Sequence, residues 1–440
     1  MNTFKRHRIV MATFGSLGDL HPYIGLALEM KKRYLEPVIA TSNIYRQRIE
    51  SLGIEFHPMR PDMPEEGTPE YVAMMEGVID PNRGAEYLFK GMLVPAVRDM
   101  YDDLSAAIED ADLLITHPIV LAGPPLAQKS GIPWVSTVLA PASIWSVFDP
   151  WVPPNMPWLY KLLKAGPLAV RLYMKLVKAM SEPWLKEVYN LRAELGLPKG
   201  EHALFEGQFA PALNLALFSS VLYEPQSDWP ANTVVTGFPF FDKKDNTPPD
   251  IDLLRFLGRG SAPIVFTLGS AAVNLAGDFY RESIAAAKLL KRRAVLLVGS
   301  EENRPKGSLP EDIIAVNYAP HGELLPRAAA MVHQGGVGTT GQGLRAGIPM
   351  LVVPFAHDQP DNGMRVERLG VARNVARNQY KAERVASELK ELLGNPAYTR
   401  NAREVGSRVR AESGAAFAVD LILDQLNERR ANRLALRTVA

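Results

Sequence analysis

The strongest constraint on this chain is an alternation of short apolar runs with segments of helical spacing. In the first third the runs are RIVMATF (8–14), PVIAT (37–41), IEFHP (54–58), LLIT (113–116) and WVSTV (134–138). Between them, YIGLALEMKKR and NIYRQRIESLG carry a helical period, the second entered through Ser42 or Asn43 as an N-cap. Strands this short and apolar, joined through helices, lie parallel and are covered on both faces. A second series follows: PIVFTLGS (263–270), AVLLVGS (294–300), AVNYAP (315–320), AMVHQGG (330–336) and MLVVPFAHDQ (350–359).

The expected class is therefore α/β, as two Rossmann-like domains with parallel sheets. At 440 residues the chain is too long for one ordinary core. Residues 150–200 break the alternation, being rich in Trp, Pro, Met and Leu without a strand pattern, and read as a helical insertion. The stretch GFPFFDKKDNTPPDIDLLRFLGRGSAP (237–263) gathers Pro, Gly, Asp and Lys as a linker does. The expected division is an N-terminal domain at 1–236, a linker at 237–262 and a C-terminal domain at 263–440. The last helices are expected to pack back on the N-terminal domain. Ligands of open parallel sheets bind at the carboxyl ends of strands, so a shared cleft is expected.

Several function classes drop out. A net charge of +1 gives no general attraction to nucleic acid. The lack of cysteine excludes disulfides, thiolate metal sites and cysteine nucleophiles, and fits a reducing cytoplasm. The apolar run Ile9–Phe14 is shorter than a secretory h-region and no small-residue cleavage site follows. No uncharged apolar stretch reaches the ~18 residues of a spanning helix. The expectation is a cytoplasmic protein.

The chemistry concentrates in VHQGGVGTTGQGLRAGIPMLVVPFAHDQPDN, Val332 to Asn362. A Gly-rich turn between strand and helix lets the backbone approach an anion, and the helix N-terminus adds about half a positive charge. Gln334, Gly335, Gly336, Gly338, Thr339 and Thr340 are the candidate phosphate contacts, with Ser270 from the earlier loop FTLGS. The loop has neither the lysine of a triphosphate-binding loop nor the GxGxxG spacing of a dinucleotide site. Asp358 and Gln359 follow the next strand, and a carboxylate beside an amide suits vicinal hydroxyls. Tyr318, also after a strand, is placed to stack on a nucleobase.

A general acid–base group is also on offer. The loop GSLGDLHP offers Asp19 and His21; intrinsic acidity favours the imidazole, while burial can raise a carboxylate. Gly15, Ser16 and Gly18 shape that loop, and an N-cap is the purely structural use of Asp19. His117 in LLITHP follows another strand and either supports Asp19, meets an acceptor or packs its loop.

Together, YAPHGELLPRAAAMVHQGGVGTTGQGLRAGIPMLVVPFAHDQPDN and GSLGDLHP resemble the nucleotide-sugar glycosyltransferases of the GT-B fold. The nearest branch is bacterial and UDP-glycosyltransferase-like, with antibiotic, rhamnolipid-type and sterol enzymes. The resemblance spans both domains. It implies an inverting hexose transfer from a UDP- or dTDP-sugar to a hydroxyl of a hydrophobic small molecule or lipid, without metal or cofactor. It puts Asp19 at the catalytic base, with His21 second. It also sets Tyr318 on uracil or thymine, Gln342 where relatives carry an acid on the ribose, and Asp358 with Gln359 on the sugar. Gln334 departs from the pattern, because relatives read His-His-Gly-Gly and use the second histidine on the diphosphate. A glutamine can donate there but carries no charge. His333 reads first as the end of a buried strand and second as a partial substitute.

Other signals weigh less. Asp110 and Asp112 in DAD precede their strand and so lie at the wrong end of the sheet for a metal site. Lys161, Lys164, Arg171, Lys175 and Lys178 occur without an acid between 158 and 180; a solvated face outweighs a weak peripheral membrane contact. Trp151, Met156, Trp158 and Met174, with Ser16, are acceptor-pocket candidates, although core packing also explains the large ones. The alternatives are an epimerase of the same architecture, a non-catalytic helper of a glycosyltransferase and, last, a nicotinamide oxidoreductase.

Overall fold

The computed structural model describes residues 6–242 and 250–439, with side chains placed through residue 428. The middle of the expected linker, 243–249, and the N-terminal residues through Lys5 lie outside the described residues. The first series forms a parallel seven-stranded sheet: β1 (Arg8–Ala12), β2 (Glu36–Thr41), β3 (Glu55–Pro58), β4 (Leu113–Thr116), β5 (Trp134–Val138), β6 (Asn214–Ala216) and β7 (Thr233–Val235). Its order is β3-β2-β1-β4-β5-β6-β7. The second series forms a parallel six-stranded sheet: β8 (Ile264–Thr267), β9 (Ala294–Leu297), β10 (Ile313–Val316), β11 (Ala330–His333), β12 (Met350–Val352) and β13 (Ala372–Asn374). Its order is β10-β9-β8-β11-β12-β13.

Both sheets are α/β layers covered by helices, so their strands bury both faces; Ile9, Val10, Met11 and Ala12 of β1 are fully inaccessible. Each such large side chain contributes about 1.5–3 kcal/mol of burial. Strand order reverses between β1 and β4 in one sheet and between β8 and β11 in the other. A crevice opens at such a reversal, outside the carboxyl ends of the strands. The loops leaving β1, β4, β8 and β11 are those that carry Asp19, His117, Ser270 and Gln334.

Three strands escaped the sequence reading. β6, β7 and β13 have three residues each, too few to show a period. β10 also starts earlier than AVNYAP suggested, which leaves Tyr318 two residues beyond its end. The 150–200 stretch is helical, with Tyr160–Leu163, Pro167–Ser181 and Lys186–Glu194 between β5 and β6.

Two sets of contacts are prominent among those that tie the halves together. The last helix, Gly414–Val439, lies against helix Leu17–Lys32, and Arg33 pairs with Asp420 at 2.8 Å. Beside the crevice, buried Arg365 donates to Asp361 at 2.7 Å and to Asp149 at 2.9 Å, while Asp361 accepts the Val152 N–H at 3.0 Å. Removing one partner of such a buried pair typically costs about 3–5 kcal/mol. No helix among the described residues is long and apolar enough to cross a membrane.

Candidate active site

The loop after β1 is built around a carboxylate. Gly15 takes φ +121°, and a Cβ there would stand 2.4 Å from Asp19 Oδ2, so only glycine fits. Ser16 is the N-cap of helix Leu17–Lys32, and Asp19 completes its capping box. Asp19 Oδ2 accepts the Ser16 N–H at 2.8 Å and the Ser16 hydroxyl at 3.2 Å. Asp19 is thus the third helical residue and not the N-cap. Its Oδ1 remains outside this box, 3.6 Å from His117 Nε2.

His117 Nδ1 accepts the Ile119 N–H at 3.4 Å, which puts the imidazole proton on Nε2, toward Asp19. Burial holds His117 neutral, with its pKa lowered to about 3. Asp19 keeps about a third of its side chain accessible, yet desolvation outweighs the Ser16 bonds and raises its pKa to about 6. That value suits a general base near neutral pH. His21, one turn further from the loop's start, lines the cleft with its ring 5.3 Å from Phe241.

The loop after β11 is built to leave its helix end bare. Gly335 takes φ +91°, where a Cβ would meet Val352 at 2.8 Å and the Gln359 carbonyl at 2.9 Å. Gly336 is the N-cap of Val337–Ala346 and supplies no side-chain cap. The Thr340 N–H is already bonded to the Gly336 carbonyl at 2.9 Å. The N–H groups of Val337, Gly338 and Thr339 precede it and have no intrahelical acceptor.

Gly338 and Thr339 line a cleft of about 610 Å³, together with Ser270, Tyr318, Gln342 and His21. Thr340 does not reach it: its side chain is fully buried, because neighbours on a helix point about 100° apart. Tyr318 is exposed at the cleft wall, with its ring open to stacking. Gln342 spends its carbonyl oxygen on Arg345 at 2.7 Å, which leaves its amide NH2 for a ligand.

His333 is fully buried at the end of β11 and accepts the Gly335 N–H on Nδ1 at 3.1 Å. Burial lowers its pKa to about 3, so it adds no charge. Its Nε2 has no partner among the described residues. Gln334 is buried against Gly269, where a Cβ would lie 2.3 Å from its Nε2; Gly269 sits at φ +62°. The Gln334 Oε1 is also unpartnered among the described residues.

After β12, Asp358 accepts from Asn362 Nδ2 at 2.6 Å. Its pKa rises to about 7, chiefly by burial, with the Asp19 charge across the crevice adding to the rise. Gln359 is more committed than its sequence position suggested. Its Oε1 accepts the Phe355 and Ala356 N–H groups at 2.8 and 3.1 Å, so only its NH2 remains.

The acceptor candidates are the clearest correction. Ser16 is engaged in its capping box. Trp151 is buried in a stack with Trp145, ring centroids 3.6 Å apart, and packs on Tyr173 at 5.2 Å. Neither it nor Met156, Trp158 or Met174 lines the cleft: Trp151 belongs to an aromatic cluster of the insertion, and Trp158 is exposed on its surface. The apolar wall is instead Leu17, Tyr71, Val72, Leu139, Phe240 and Phe241. Asp112 accepts the Arg8 N–H at 3.1 Å, at the amino end of the sheet. Sequence reasoning also missed Arg48, Asp242, Asn303, Asn317 and His321 in the cleft wall. Of these, only Asn317 and His321 had a signal, as neighbours of Tyr318 in NYAPH.

Comparisons with known proteins place the chain among glycosyltransferases. Residues 283–422 match the family described as Erythromycin biosynthesis protein CIII-like, C-terminal domain. The chain is 33% identical over 431 residues to O-mycaminosyltylonolide 6-deoxyallosyltransferase of Streptomyces fradiae, covering 94% of this chain and 96% of that protein. It is 27% identical over 444 residues to a sterol 3-beta-glucosyltransferase of Leptosphaeria maculans, covering 96% of this chain and 29% of that longer protein. The crystal structure of glycosyltransferase VinC in complex with DTDP superposes with TM-score 0.67 at 20% identity, covering 96% of this chain and all of VinC, a likeness of fold.

Proposed function

Because this chain belongs to the UDP-glycosyltransferase-like glycosyltransferases of the GT-B fold, we propose that it is an inverting, metal-independent enzyme. It moves a hexose from a UDP- or dTDP-sugar to a hydroxyl of a hydrophobic small molecule or lipid. In this reading Asp19 Oδ1 takes the acceptor proton while the acceptor oxygen attacks the anomeric carbon. The bond from that carbon to the diphosphate breaks on the opposite side, which gives inversion. The departing charge is met by the N–H groups of Val337, Gly338 and Thr339, by Ser270 and by the Gln334 amide. No carboxylate is assigned to the diphosphate; Asp358 with the Gln359 NH2 holds the sugar, and Tyr318 stacks on the base. His117 orients Asp19 by its Nε2–H. We place the reaction in the cytoplasm, on the complete lack of cysteine.

One observation carries the reading: a carboxylate with its pKa raised to about 6 belongs to a loop whose Leu17, Gly18 and His21 line the same cleft as a bare helix N-terminus. The apolar wall around Leu139 and Phe241 supports a hydrophobic acceptor. The relative from Streptomyces fradiae, named for a macrolide-type acceptor, and the DTDP complex of VinC point the same way. The test is a panel of UDP- and dTDP-sugars against flavonoid, macrolide, sterol and hydroxy-fatty-acid acceptors, read as nucleotide release. Acceptor-dependent release is expected with at least one pair; its absence with every pair would remove this substrate class.

A further inference from the structure

Helix Pro167–Ser181 turns its ordinary faces in the wrong direction for a solvated element. Leu168, Leu172, Leu176 and Met180 are 70, 62, 56 and 64% exposed. Their four-residue spacing makes one continuous row, ~18 Å long at 1.5 Å per residue. Trp158 and Leu162, 62 and 57% exposed, stand just before it, Leu162 on a short helix that packs against this one and Trp158 on the turn that leads into that helix. The opposite face is anchored, with Val170 buried and Tyr173 against Trp151. Six large apolar side chains in one stretch exceed the scattered singles of an ordinary surface.

The charges beside the row identify its partner. Lys161, Lys164, Arg171 and Lys175 make no ion pair among the described residues; only Lys178 is paired, to Glu206. No acidic residue occurs from Trp158 to Ser181. A second copy of this chain, docked by two-fold symmetry, would set these cations against their own equivalents. We infer that this face docks on a lipid bilayer carrying anionic headgroups, with the leucine row entering the interface and the cations meeting the headgroups. The weak membrane contact that the sequence left secondary thus gains a defined surface. The inference is independent of the transfer reaction, and it would bring the enzyme to membrane-dissolved acceptors.

Flotation with vesicles tests it, using phosphatidylcholine alone and phosphatidylcholine mixed equally with phosphatidylglycerol. The full-length protein is expected to float with the anionic vesicles and to be released by high salt. The double change Leu172→Gln and Leu176→Gln should weaken that binding about tenfold or more, at unchanged thermal midpoint. Arg171→Gln with Lys175→Gln, at exposed positions that carry little folding energy, should weaken it by roughly tenfold and remove most of its salt dependence. Equal affinity for both vesicle types, or no effect of the charge change, would overturn the inference. So would a wild-type dimer, by light scattering, that the leucine change converts to monomer.

Discussion

Two loops of this molecule occupy equivalent places and do opposite things. Each leaves a strand at the reversal point of a parallel sheet, passes through a glycine at positive φ and enters a helix that faces the crevice. After β1 the helix end is closed by a capping box, and the carboxylate that closes it leaves its other oxygen outside the box, beside His117. After β11 the N-cap is Gly336, which offers no side chain. A capped helix end uses its N–H groups internally and can present a base. A bare one keeps them for an anion. In the proposed reaction, the division of labour between base and diphosphate would follow from one residue at each cap.

The largest break in that comparison is Asp19→Asn. The amide still accepts the Ser16 N–H, so the loop keeps its shape, but nothing takes the acceptor proton. Turnover should fall by roughly 10²–10⁴, with nucleoside-diphosphate affinity by calorimetry unchanged. Full activity would move the base to His21. The converse change, Gly336→Asp, gives the second loop the cap of the first. The backbone there, φ −57° and ψ 140°, tolerates a side chain, and the nearest obstacle is the end of the Gln334 side chain, 2.9 Å from a Cβ placed there. Two N–H groups gain an internal acceptor and a negative charge arrives beside the diphosphate. Affinity for UDP or dTDP should drop by about 10–100-fold or more, at least one charge-assisted bond's worth. The ligand-free protein should gain about 1 kcal/mol from the new cap. An unchanged diphosphate affinity would show that the anion does not sit on this helix.

A pH profile sharpens the first loop's half. The base works deprotonated, and its pKa is raised to about 6 by desolvation. So kcat/KM should be flat above neutrality and fall about tenfold per unit below that value. A plateau extending down to pH 4 would indicate an unperturbed carboxylate. The same shift affects stability. The folded state binds more protons than the unfolded state between the ordinary value of 3.8 and about 6. Stability therefore falls as pH rises through that window and is unaffected below it. The full shift amounts to ~3 kcal/mol, but with a third of the side chain open to solvent about 1 kcal/mol remains. Asp19→Asn should recover that amount at pH 8 and nothing near pH 3, by denaturant melts.

The positions of these loops were legible because strand periodicity and glycine placement are local properties. β5 appears in WVSTV residue for residue. What the sequence left open was orientation. It could not say that Thr339 faces the cleft and Thr340 the core, since both are threonine. Nor could it say that Gln359 uses its oxygen on its own loop, because side-chain to backbone bonds leave no pattern. Trp151 illustrates the same limit: aromatic composition signals a buried ring without saying against which neighbour. Arg48 and Asp242 reach the cleft from segments with no motif of their own, and only the folded chain brings them there.

Gln334 is where sequence and structure pull apart most. By resemblance it stands in for a histidine, and the exchange looked like the loss of a positive charge at the diphosphate. The surroundings remove that concern. The two histidines nearby, His333 and His321, are held neutral by burial, at about 3 and about 4. Gln334 is itself nearly inaccessible, wedged between Gly269 and Gly336. A histidine in this position would therefore be neutral in the free protein and offer one N–H, as the amide does. Gln334→His should leave diphosphate affinity at pH 8 within about fivefold of wild type, the range of one neutral hydrogen bond. A gain well beyond that, by calorimetry, would mean that charge and not the bare helix end governs this loop. A severe loss would mean that the amide's contact with Gly269, rather than its donor, is what the position requires.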